Sequence, residues 1–67
     1  MTDIQKFVSA INTLKSGAEW IYFGTVMASE DHFNNVKWIT DSNGTQSDTC
    51  PHSEITWTKV KAEMDKL

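Results

Sequence analysis

At 67 residues the chain has room for one domain, and it sits near the lower size limit for folding alone. Six lysines stand against nine acids with no arginine, giving a net charge of -3. That balance argues against nonspecific nucleic-acid or anionic-membrane binding, since phosphate contact draws on arginine's fork of donors as well as lysine.

A first helix is predicted from Thr2, whose hydroxyl and Gln5 three residues later form a capping box, with Asp3 in the first turn. Ile4, Phe7, Val8, Ile11 and Leu14 recur at spacings of three and four and mark one apolar stripe. Lys15 and Gly17 supply the stop. A first strand follows over about 19–27, with Trp20, Tyr22 and Val26 on one face and Ile21, Phe23 and Met27 on the other. Gly24 interrupts it and marks a bulge or a close backbone approach.

Residues 28–32 are polar and acidic, a connector or a single helical turn. A second strand is predicted over about 33–40, with Val36 and Trp38 on one face and Lys37 and Ile39 on the other. Residues 41–48 are rich in turn formers and contain Asn43-Gly44, the favoured pair for a tight hairpin. Composition favours a solvated loop there over a third strand. The last element is a helix capped by Thr56, with Ile55 and Val60 as a hydrophobic staple and Trp57, Val60, Met64 and Leu67 as its stripe. Residues 54–57 fit a short strand as well. The expected class is α+β, a single small domain over 1–67 ordered helix-strand-strand-helix, with an antiparallel hairpin packed by two helices.

Chemistry is sparse. Cys50, His52 and His32 with Asp31 or Asp48 lack the paired spacing of a zinc site, and no metal or cofactor is implied. Cys50 and His52 are the one nucleophile-base pair to weigh, but no third group orients the imidazole. The acids Glu30, Asp31, Asp41 and Asp48 read as a solvated rim. The aromatic centre carries the stronger implication. Two short helices cover one face of a hairpin more easily than both, and soluble monomers seldom leave a large apolar patch bare. The uncovered face is therefore expected to meet a protein partner or a second copy, through Trp20, Tyr22 and Trp38, with His32 and Phe33 at the connector.

Ala10-Ile11 before Leu14, Gly17-Ala18-Glu19-Trp20, Val36-Lys37-Trp38 and Ile55-Thr56-Trp57 with Glu63 and Leu67 resemble small phage-encoded proteins. The likeness is to short accessory proteins among tailed-phage tail genes, including tail and tail-fibre assembly factors. It spans most of the chain, and the loop with Cys50 has no counterpart. The resemblance implies a non-enzymatic protein acting in an infected bacterium through contacts with a tail component or with itself; it transfers no functional residues. The alternative is a small binder that modulates a host enzyme. The lone cysteine and the absence of a basic-then-apolar N-terminus or a spanning apolar run lead to the same expected setting, the cytoplasm of the infected host, with association to the virion as a further option.

Overall fold

The computed structural model describes residues 2–67 and has the order α1 (Asp3–Leu14), β1 (Trp20–Ile21), α2 (Glu30–Asn34), β2 (Lys37–Ile39), β3 (Gln46–Ser47) and α3 (Trp57–Met64). The class is α+β, with three helices and a three-stranded antiparallel sheet among the described residues.

Helix α1 starts where local chemistry places it. The Thr2 hydroxyl accepts from the Gln5 amide at 3.2 Å and the Gln5 side chain accepts from the Thr2 amide at 2.9 Å. Two otherwise unpaired donors of the first turn are thereby satisfied. After Lys15 the chain turns at Gly17, whose φ of 86° suits a residue without a Cβ. The buried face of α1 is Phe7, Ala10 and Ile11. Val8, expected on the stripe, is 40% exposed; one residue on from Phe7 it lies about 100° further round the helix, and Ala10 fills the place against the core.

The strands are shorter than predicted. Only Trp20 and Ile21 of the expected 19–27 strand join the sheet, pairing with Trp38 and Lys37. Of the two options for 28–32, a connector or a single helical turn, the helix is what forms, over Glu30–Asn34, and it runs into the expected second strand. The Ser29 side chain caps it by accepting from the His32 amide at 3.4 Å, and Phe33 becomes helical. Strand β2 is therefore confined to Lys37–Ile39.

A third strand forms where a solvated loop was expected. Asp41 organises it: its carboxylate accepts from the amides of Asn43 and Thr45 at 2.9 and 3.1 Å, and Gly44 takes a φ of 81°. Ser47 then pairs with Trp38 and Gln46 with Ile39. Strand β3 contributes no residue to the buried core. It occupies the free edge of β2 through its backbone, which is why a polar composition concealed it.

Helix α3 begins at its expected cap, with Thr56 accepting from the Lys59 amide at 3.3 Å. The strand option for 54–57 is not what forms. Ile55 and Val60, the two ends of the staple, are both buried. Leu67, expected on the stripe, lies past the end of α3 and is 50% exposed.

One core gathers all three helices: Phe7, Ala10 and Ile11 from α1, Phe33 from α2, Val60 and Met64 from α3, together with Met27, Val36, Trp38 and Ile55. Helices α1 and α3 pack against each other. Edge-on aromatic contacts tie the layers. Phe7 meets Trp20 at 4.8 Å between centroids and Phe33 at 6.2 Å, and Phe33 meets Trp38 at 6.0 Å. The other side of the sheet carries no aromatic in its paired strands. It presents half-buried Ile21, Lys37 and Ile39, with Lys37 ion-paired to Asp48. The expectation of two strongly apolar sheet faces is thus replaced by one aromatic face, covered by helices, and one mixed face.

Trp38→Ala is expected to cost about 3–5 kcal/mol, enough to unfold most of a domain whose total stability is of order 5 kcal/mol. Val8→Ala is expected to stay within about 0.5 kcal/mol of wild type. Urea denaturation measures both, and equal losses would contradict the assigned core.

Candidate functional site

The chain leaves the sheet after Ile21 and returns to the core at Met27, which is 1% exposed. Between them it makes a braced loop. The Tyr22 hydroxyl donates to the carbonyl of Val26 at 2.6 Å, closing the loop with a side chain. Gly24 lies against the same ring, so that a Cβ there would sit 2.7 Å from Tyr22 Cζ. The close backbone approach expected at Gly24 is this contact. At the far end the Ala28 amide donates to His32 Nδ1 at 3.1 Å, which fixes the junction with α2.

This bracing holds apolar groups outward. Phe23 is 87% exposed and Val26 47%. No residue from 20 to 29 is charged. An aromatic ring in water on a loop held by its own hydrogen bonds is surface that folding did not use, and such surface commonly marks a contact site.

Met27 and Ala28 also form one wall of a cleft of about 220 Å³. Its other apolar lining is Trp57 and Met64 from α3, and its polar lining is Asp3 and Lys6 from α1 with Lys61 and Asp65. Lys61 and Asp65 are ion-paired at 3.1 Å.

The residues expected to bind a partner are distributed differently. Trp38 and Phe33 are core, at 1% and 9% exposure, and have no free face to offer. Trp20 is half-buried with its ring edge-on to Phe7, and Tyr22 is half-buried while bracing the loop. His32 is half-buried and holds Ala28. The exposed apolar surface expected on Trp20, Tyr22 and Trp38 is found at Phe23 and Val26. Alternation hid these two, because it assigned them to opposite faces of a strand that ends at Ile21. The available signal was Gly24, a residue that weakens a strand.

Cys50 and His52 do not form a nucleophile-base pair. The thiol donates to the backbone carbonyl of His52 at 3.5 Å, while the imidazole packs edge-on to Trp38 at 6.2 Å. Burial pushes the Cys50 thiol above its ordinary range and Glu54 adds to this, against the opposing effect of the His52 backbone. That is the reverse of an activated cysteine. Among the described residues no three His, Cys, Asp or Glu side chains gather as a metal site, and no helix is long and apolar enough to cross a membrane.

Comparison with models of known protein families finds no match, and no curated protein and no solved structure matches the chain either.

Two outcomes follow. Tyr22→Phe is expected to cost about 1 kcal/mol and to lower the backbone order parameters measured by NMR relaxation over 24–27; unchanged order parameters there would contradict a loop braced by the hydroxyl. In the β2–β3 turn, hydrogen bonds from Thr45, side chain first and then backbone, hold the Asp41 carboxyl below its ordinary range, helped by Asn43 and Gly44 against slight desolvation. A lowered folded value means the turn is stabilised at pH above the ordinary carboxylate range. That stabilisation is lost as pH falls through the folded value. The Thr45 amide shift in an NMR titration should follow this loss and be insensitive to pH in Asp41→Ala.

Proposed function

We propose that the protein is a non-enzymatic accessory factor that works by protein-protein contact through the braced loop 22–28. The observation that carries this reading is Phe23, an aromatic side chain left 87% exposed on a loop fixed by the Tyr22–Val26 hydrogen bond. A pre-positioned aromatic loses little conformational entropy on docking and contributes large contact area, which is why such residues dominate interface energetics. The arrangement of Cys50 and His52 favours the same reading, since neither group is set up for catalysis.

The resemblance to phage tail accessory proteins supplies the context: a factor acting in an infected bacterium on a tail or virion component. The acidic charge balance favours a protein partner over nucleic acid or an anionic membrane. The test is recovery of tagged protein from infected cells. Wild type and Cys50→Ser should retain a tail component, and Phe23→Ser should lose it while keeping its far-UV spectrum. Retention by Phe23→Ser, or loss in Cys50→Ser, would overturn the assignment. Recovery of a host enzyme in place of a tail component would move the protein to the role of host modulator.

A further inference from the structure

We propose that His32 is an acid-sensitive latch on the contact loop: protonation of its imidazole releases the loop's C-terminal end and weakens partner binding. This rests on the reading of loop 22–28 as a contact surface. The ground is the geometry around Met27. The carbonyl of Val26, on the peptide before Met27, accepts from the Tyr22 hydroxyl at 2.6 Å. The amide of Ala28, on the peptide after Met27, donates to His32 Nδ1 at 3.1 Å. Two side chains therefore fix the successive peptides on either side of one buried residue, and the loop leaves the core at the angle they set.

One of these bonds ends on a carbonyl oxygen, the other on a nitrogen that takes a proton. Nδ1 accepts only in the neutral ring that carries its proton on Nε2; in the imidazolium both nitrogens are donors. Protonation sets one N–H against another at Ala28, and the bond is lost. Ala28 is exposed, so its freed amide turns to water. The backbone of His32 is held separately. Its amide donates to Ser29 Oγ at 3.4 Å, and its carbonyl accepts from the Asn35 amide at 3.1 Å. The ring can release Ala28 without unwinding α2.

The surrounding charges leave this contest to local groups. Loop residues 20–29 carry none. Helices α1 and α3 bring Asp3, Lys6, Lys61 and Asp65 to the cleft that Ala28 borders, two of each sign. Strand β2 contributes Lys37, which is paired to Asp48. On α2 itself Glu30 and Asp31 favour the imidazolium, and the Ala28 amide opposes it. Because the bond holds the neutral ring, the latch is closed at the upper end of the histidine range and opens as pH falls.

The experiment is an NMR titration of wild type and His32→Asn from about pH 8 to about pH 5, where histidines ordinarily change charge. Asparagine places an acceptor oxygen as many bonds from the backbone as Nδ1 and does not titrate. In wild type the Ala28 amide should shift with the midpoint of the His32 ring signals, and order parameters over 26–28 should fall. In His32→Asn both should stay flat, while His52 still titrates. Recovery of a tail component by wild type should weaken about fivefold at the acid end, the factor that one net hydrogen bond supplies, and His32→Asn should resist this loss. An Ala28 amide that ignores His32, unchanged order parameters, or a His32→Asn protein that loosens like wild type overturns the latch. An unmoved Ala28 with recovery through Phe23 intact removes the latch alone. A latch that opens in a protein recovering no partner through Phe23 removes the contact-surface reading, and the regulatory role with it.

Discussion

The side chain of Trp38 meets Phe33 from α2 and His52 from the loop before α3, while its backbone neighbours are Trp20 on one side and Ser47 on the other. It is the central residue of the central strand, and it is 1% exposed. A domain this small has little surface to bury and must use its largest side chains to do so. Phe7, Phe33 and Trp38 are spent in that way, stacked edge to face in a line from helix to sheet. Trp20 closes the line against Phe7. Because the helices all bury their apolar residues on this one side, the sheet needs no second aromatic layer. Its other side carries the Lys37–Asp48 pair and two half-buried isoleucines.

The starts of α1 and α3 were readable because N-caps are local chemistry. Thr2 with Gln5, and Thr56 with the amide three residues on, involve no information from elsewhere in the chain. The strands were not readable to the same degree. A run such as Trp20 to Met27 has β-type composition throughout, yet ladder membership is decided by the partner strand, and β2 offers only three residues. Phe33 shows the competition directly. Its composition suits a strand, but the Ser29 cap draws it into a helix and so shortens β2 from its start. Strand β3 was concealed for the opposite reason, since a polar edge strand needs only a turn to position it and Asp41 provides that turn.

The candidate site was half legible. The aromatic segment stood out as the part of the chain with most apolar surface, and Gly24 stood out as a break. Which aromatics face water depends on where the chain re-enters the core, and that is a long-range matter. Met27 re-enters, so Phe23 and Val26 are left outside while Tyr22 folds back to close the loop. The surface available for contact is therefore a consequence of the same constraint that fixes Trp38: the core takes what it can enclose, and a short braced loop carries the remainder.

The most direct measurement is hydroxyl-radical footprinting of dilute wild-type protein, read by mass spectrometry residue by residue. The account predicts rapid modification of Phe23 and protection of Trp38 and Phe33, with Trp20 and Tyr22 between them. Modification of Trp38 at a rate comparable to Phe23 would contradict it, because the aromatic face of the sheet would then be open to solvent and the loop would no longer be the protein's exposed aromatic surface.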